Sequence, residues 1–216
     1  MARKLGGIAL SAGAGYLLGS IPIGVIMGRL AAGVDVRKYG SRVSGAANVL
    51  RAAGPVAAAA TLGLDTTKGY LAVKLAEQLR AGDEGAVAAA VGAAVGHSWP
   101  VFADFKGGRS VVTCWGSLMA LDGRAAASAA VAGSLTIATT RYVSGGALTG
   151  AAAAAAATWL RPQGPSRRAT WFTLFTLAFL VLRLQDNIGR LRRGRERRLG
   201  DQINVAREGA APQPES

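Results

Sequence analysis

Long runs of Ala, Gly, Leu and Val, interrupted by short clusters of charge, make up most of the chain. A soluble domain of this length spreads its charge along amphipathic segments instead. Bilayer insertion explains the clustered layout. A spanning helix needs about 20 mainly apolar residues, and seven windows meet that need: approximately 5–29, 55–80, 85–103, 110–121, 124–140, 146–160 and 169–186. The third to sixth are short or alanine-rich, and the polar break around Trp115 and Asp122 is slight. The pattern predicts an all-α fold, a polytopic membrane helix bundle of about seven transmembrane helices.

The first window follows a basic start but continues beyond a signal-peptide core without a convincing cleavage site, and it reads as a retained span. Abundant Ala and Gly let helices approach closely where water does not drive them together. Residues 1–190 read as the membrane domain and 191–216 as a basic, then disordered, cytoplasmic tail. From Leu199 the apolar periodicity is lost, and the chain ends Ala-Pro-Gln-Pro-Glu-Ser.

Charge adds a direction. The chain carries 25 Lys+Arg against 12 Asp+Glu, a net +13. Nucleic-acid binding would use such an excess, but basic loops between apolar spans are what membrane topology demands of the cytoplasmic side, so no nucleic-acid partner is expected. Arg29, Arg37, Lys38, Arg42 and Arg51, then Lys106 and Arg109, then Arg190 to Arg198 belong together on that side. An odd number of spans puts the N-terminus outside. Arg3, Lys4, Arg161, Arg167 and Arg168 then fall on the wrong side. Cys114 is the only cysteine, which excludes an intramolecular disulfide. Without a CxxC or Cys/His cluster, no zinc site, other metal or cofactor is expected.

Three groups of residues carry candidate chemistry. Gly19-Ser20-Ile21-Pro22, the stretch Asp35 to Ser41 and the stretch Gly45 to Arg51 combine Gly, Ser, Asn and Arg. Backbone N–H groups, hydroxyls and a guanidinium fork together suit a phosphate or carboxylate, and a helix starting near Asn48 would add its dipole. A cytoplasmic loop made basic by topology, with glycines for its turns, fits the same residues equally well. Gly96 to Phe102, running into Phe105 to Thr113, sets paired glycines between Lys106 and Arg109, an anion cradle without P-loop spacing. His97, the only histidine, is a candidate base, although a lone histidine at a span end is more often structural. Asp65 and Lys68 share one helix face inside the second window and read first as a structural ion pair near the membrane surface.

In order along the chain, these residues resemble a family: the bacterial membrane acyltransferases called PlsY, which transfer a fatty acyl group from acyl phosphate to glycerol 3-phosphate. The family pattern GSIPxG, DIRxxGSGNxGATNxxR, DxxKG, GHxxPxxxxFKGGKGVAT, RYxS and HxxNIxRLxxGxE is matched by Gly19 to Pro22, Asp35 to Arg51, Asp65 to Gly69, Gly96 to Thr113, Arg141 to Ser144, and Asn187 to Leu191 with Gly194 and Glu196. The resemblance implies lysophosphatidic acid as product, for phospholipid synthesis. It also implies glycerol 3-phosphate, acyl phosphate and membrane lipid as partners, and an inner (plasma) membrane enzyme with its active site facing the cytoplasm. Ser41, Arg51, Arg109, Ser144 and Asn187 become the implied catalytic residues. Gly40, Gly45, Asn48, His97, Lys106, Gly107 and Gly108 become the implied phosphate-binding ones. Because an acyl phosphate is already activated, positioning two anions supplies much of the rate and no protein nucleophile is required.

The sequence departs from the pattern at Arg42-Val43 for Gly-Asn, Ala47 for Thr, Arg109 for Lys, Ser110 for Gly and Leu184 for His. Those changes motivate a second reading, a catalytically weakened relative that binds an anionic lipid or phosphate in a regulatory or scaffolding role. A small transporter would predict an internal repeat, and none is visible. The Arg-rich end has its own bland role, anchoring to an anionic leaflet at about 1 kcal/mol per basic residue.

Overall fold

The computed structural model describes residues 2–161, 164 and 166–201, with side chains from Lys4 onward. Every regular element among them is helical: α1 (Ala2–Gly19), α2 (Ile23–Ala32), α3 (Ala46–Gln78), α4 (Gly82–Ser98), α5 (Val111–Leu121), α6 (Gly123–Thr140), α7 (Val143–Trp159), α8 (Arg167–Arg183) and α9 (Gln185–Arg192), with short 3-10 turns at Val36–Lys38 and Val101–Ala103. Each expected window holds a long helix, so the all-α bundle stands. The boundaries and the count differ from the seven windows in three places, each with a physical reason.

First, the window 5–29 is two helices, parted at Ser20 to Pro22, because proline cannot donate into a continuing helix. Second, α3 starts at Ala46 rather than 55 and carries Pro55 inside it. Gly54, at φ 87° and ψ 176°, takes up the bend in a conformation that suits glycine alone. Third, α9 follows the last window, too polar for a hydropathy reading to find. The slight break at Asp122 proves to be a full helix boundary. Its carboxylate accepts the backbone N–H groups of Arg124 and Ala125 at 3.1 and 3.2 Å, capping α6 directly after α5 ends.

Burial is inverted relative to a soluble protein. Val56, Leu160 and Leu30 are 83%, 81% and 76% exposed, while Thr61, Asp65, Thr113, Ser117 and Thr158 have no accessible surface. In a bilayer this is the favourable arrangement, since lipid solvates the leucines and the bundle interior keeps the polar groups away from it. Small residues make the contacts. α1 and α4 run parallel, with Gly15 against Ala89 and Gly19 against Ala93, so close that an added Cβ would strike the facing carbonyl. Gly116 of α5 meets the Thr66 carbonyl of α3 in the same way.

The helices alternate between two ends of the bundle. At one end lie the start of α1, the α3–α4 and α5–α6 turns and the α7–α8 connection, drawn together by ion pairs: Lys4–Glu84 at 2.9 Å, Arg168–Glu77 at 3.1 Å and Arg161–Asp122 at 3.1 Å. These pairs explain basic residues on the side where topology disfavours them, because Lys4, Arg161 and Arg168 each carry a local counter-charge. Arg167 remains exposed, and the Arg3 side chain lies outside the described residues. At the other end gather the 33–45 loop, the 99–110 loop, the α6–α7 turn and the segment 184–201. Most of the expected disordered tail, residues 202–216, lies outside the described residues.

Candidate active site

The 33–45 loop is tied down from below by one side chain. Asn48, 1% exposed in the first turn of α3, donates its amide toward the carbonyls of Val36, Tyr39 and Val43 at 2.8–3.1 Å and accepts the Ser41 N–H at 3.0 Å. Its hydrogen-bonding capacity is spent on loop backbone. Arg37 closes the loop from outside. Its guanidinium grips both oxygens of Asp35 and donates to the Ala103 carbonyl at 2.8 Å. That grip holds the Asp35 carboxyl below its ordinary range and the Arg37 guanidinium above its own.

The paired glycines sit beside this loop. Gly108 N–H donates to the His97 carbonyl at 3.0 Å, Gly107 N–H to the Ser98 carbonyl at 3.3 Å, and the Gly107 carbonyl accepts from Ser44 N–H. A Cβ on Gly108 would collide with the His97 ring, so glycine is required for the turn to lie on the imidazole. Beneath it His97 Nδ1 is 3.4 Å from Asp65, which pairs with Lys68 at 2.8 Å. All three side chains are almost completely buried. Lys68 also donates to the Ile21 carbonyl at 3.0 Å. The Asp65–Lys68 pair is thus the structural ion pair expected, and it braces α2's entry, α3 and α4.

A third cluster centres on Glu196. Its carboxylate accepts from Ser144 at 2.9 Å, from Arg190 Nε at 2.8 Å and from the Asn187 amide. α7 is therefore joined to α9 and the segment after Gly194 by one acid, 52 residues on from Ser144. The turn is pinned further where Leu199 and Arg141 exchange backbone and guanidinium hydrogen bonds at 2.7–3.2 Å.

These three groups surround the mouth of one cavity of about 590 Å³, within the roughly 300–1,000 Å³ range of small-ligand sites. Its rim contains Ser41, Gly45, Asn48, Arg51, Arg109, Ser144, Asn187, Arg190 and Glu196. Its walls are Leu62, Val112, Trp115, Leu118, Ile137, Leu180 and Leu184, with Ala154 at depth. Ser144 to Ala154 along α7 is about 15 Å of helix, so the apolar part runs well into the bundle. The wall at Leu184 is 1% exposed and belongs to a cluster with Ala147, Ala151 and Leu180.

Charge at the rim is unbalanced. Arg51 Nε is buried without a hydrogen-bond partner, and among the described residues the guanidinium makes only a 3.4 Å donation from Nη2 to the Arg198 carbonyl. Arg109 makes no hydrogen bond or ion pair among the described residues. Burial, and then the like charge of Arg190, push its guanidinium down to about 10, still protonated at neutral pH. Cations held in this way favour a bound anion.

Of the expected site residues, the structure brings Ser41, Gly45, Asn48, Arg51, His97, Arg109, Ser144 and Asn187 to this cavity. Gly108 lies on His97 behind the rim, Gly40 is in the adjoining loop, and Lys106 and Gly107 line a separate pocket. Sequence reasoning did not single out Arg190, Glu196 or Asp65 for the site. The first two stood in the final motif, and only folding shows that Glu196 gathers Ser144 and Asn187.

The sequence pattern of the glycerol-3-phosphate acyltransferase family matches residues 9–194. A glycerol-3-phosphate acyltransferase of Symbiobacterium thermophilum is 43% identical over 186 residues, covering 86% of this chain and 92% of the relative. One from Gloeobacter violaceus is 41% identical over 196 residues, covering 87% and 93%. Among solved structures, that of PlsY (YgiH), an integral membrane glycerol 3-phosphate acyltransferase, in its glycerol 3-phosphate form superposes with a TM-score of 0.80 at 28% identity, covering 97% of this chain and all of that one. The lysophosphatidic acid form gives 0.80 at 30% identity, covering 89% and 95%.

Proposed function

The chain belongs to the glycerol-3-phosphate acyltransferase family, and we propose that it moves a fatty acyl group from acyl phosphate to glycerol 3-phosphate at the inner (plasma) membrane, with the site facing the cytoplasm. The observation that carries the reading is a deep apolar cavity opening under a rim on which Arg51 and Arg109 have no ion-pair partner among the described residues. An acyl chain is solvated by the walls while its phosphate, and that of glycerol 3-phosphate, meet Arg51 and Arg109 at the mouth.

In the proposed reaction a glycerol hydroxyl oxygen attacks the acyl carbonyl carbon. The new C–O ester bond forms as the bond from the carbonyl to the phosphate oxygen breaks. Inorganic phosphate leaves with the bonding pair and takes up the hydroxyl proton, and lysophosphatidic acid remains for phospholipid synthesis. The leaving group is already good, so the protein's task is to neutralise and orient two anions. Arg51, Arg109 and Ser41 take that task directly. Asn48 shapes the loop that presents Ser41, His97 supports the Gly107–Gly108 turn, and Ser144 and Asn187 fix Glu196 and so the pose of Arg190.

Leu184 favours a second reading, since an apolar residue buried in the cavity wall stands where the family pattern has a histidine donor. In that reading the chain is a weakened relative that keeps anion binding without turnover. Acyl transfer by the detergent-solubilised chain from acyl phosphate to labelled glycerol 3-phosphate separates the two. Lysophosphatidic acid from the wild type, and none from a folded Arg51→Ala, is expected. Silence from both, with substrate still bound, would make the weakened relative correct.

A further inference from the structure

On the other side of the Gly107 turn lies a second, smaller pocket of about 400 Å³, which the reaction does not use. Arg37, Arg42, Lys106 and Arg183 line it, with Trp99 and Phe105 as its aromatic wall. The cations differ in how far they are already satisfied. Arg37 is held by Asp35, and the exposed Asp104 stands 3.9 Å away. Arg42 and Lys106 are exposed, and neither side chain makes a hydrogen bond or ion pair among the described residues. Arg183 donates to the Gly108 carbonyl at 3.1 Å and stacks 4.6 Å from the Trp99 ring, while its Nε is buried without a partner.

The pocket therefore offers three cations, Arg42, Lys106 and Arg183, that have no carboxylate partner among the described residues. Its position limits what can fill it. Trp99 packs edge-on against Phe179 of α8, and beside it Val101, Phe102 and Phe105 are 41%, 61% and 56% exposed. Aromatic side chains next to basic ones mark the depth at which a bilayer's headgroups begin. A ligand in this pocket would have its charge among the arginines and its remainder beside an apolar surface. We infer that the pocket holds the phosphate of an anionic phospholipid, whose acyl chains lie against Trp99 and Phe102.

Arg42 adds a cation to the pocket. It stands where the family pattern has glycine, and its backbone is left-handed at φ 55°, a conformation that glycine adopts freely. The lipid phosphate satisfies Arg42, Lys106 and the free Nε of Arg183 together, and Arg183 in turn touches the Gly108 carbonyl behind the catalytic rim.

The test is native mass spectrometry of the detergent-solubilised full chain titrated with phosphatidylglycerol, comparing wild type with Arg42→Gly/Lys106→Gln. Glycine suits the left-handed backbone at 42, and neither removed side chain has a partner, so the fold is kept. Removing two cations is expected to weaken lipid retention about 25-fold, taking roughly 1 kcal/mol per cation and 1.4 kcal/mol per factor of ten. Phosphatidylcholine should bind far more weakly than phosphatidylglycerol, and millimolar inorganic phosphate should displace neither. Equal retention by the two proteins, or equal retention of the two lipids, would overturn the inference. Displacement by inorganic phosphate would overturn it as well, by marking a free-phosphate site. If the double variant melts early, Arg42→Gly alone carries the same comparison at about fivefold.

Discussion

The two ends of the bundle use the same residue types to opposite effect. At the end holding the α3–α4 and α5–α6 turns, Glu77, Asp83, Glu84 and Asp122 each lie within 4.0 Å of a lysine or arginine. At the cavity end, Arg51, Arg109 and Arg42 have no ion-pair partner among the described residues, and Glu196 is shared among Ser144, Asn187 and Arg190. A helix-bundle membrane protein can therefore carry cations on both sides of the bilayer for different reasons. Paired ones fasten helix ends; those unpaired among the described residues are open to a bound anion.

Charge removal at the two ends sharpens that contrast. The largest effect is expected from Arg109→Gln, which removes a buried cation at the cavity mouth while keeping a polar side chain. The kcat/KM for acyl transfer should fall by about 10²–10³, the usual cost of removing one transition-state donor. Glu196→Gln comes next. It weakens charge-assisted bonds worth about 1.5–3 kcal/mol each, and it should lower both kcat and the thermal midpoint, since one carboxylate joins α7, α9 and the following turn. At the paired end Arg161→Ala strips the counter-charge from Asp122, whose side chain is 2% exposed where that of Arg161 is 25% exposed. A stability loss of about 1–2 kcal/mol, read as a lower melting temperature with kcat/KM unchanged, is the expected result. Lys4→Ala should do least, under about 1 kcal/mol, because the Lys4–Glu84 pair is largely solvated.

Much of this division was legible in the sequence. Seven apolar windows located the long helices, and the colinear motifs brought Ser41, Asn48, Arg51, Arg109, Ser144 and Asn187 forward together. Hydropathy cannot see a break that leaves composition unchanged, so the division of the first window at Ser20 to Pro22 and the bend at Gly54 emerged only with the backbone. Nor can residue type reveal how a side chain is used. Asn48 was expected at phosphate, and its amide is bonded to loop carbonyls; Asp65 and Lys68 were expected to pair and do so, but the sequence did not show that His97 lies against them. The wrong-side arginines were unexplained in sequence because their partners, Asp122 and Glu77, are 39 and 91 residues away.

The most direct measurement is calorimetric binding of glycerol 3-phosphate to the detergent-solubilised wild type, Arg51→Ala and Arg161→Ala under one set of salt conditions. Unpaired cations at the cavity end predict a Kd at least about tenfold weaker for Arg51→Ala, in line with losing one charged hydrogen-bonded contact, and an unchanged Kd for Arg161→Ala. Equal weakening in both variants, or none in either, would contradict the assignment of binding to the unpaired end.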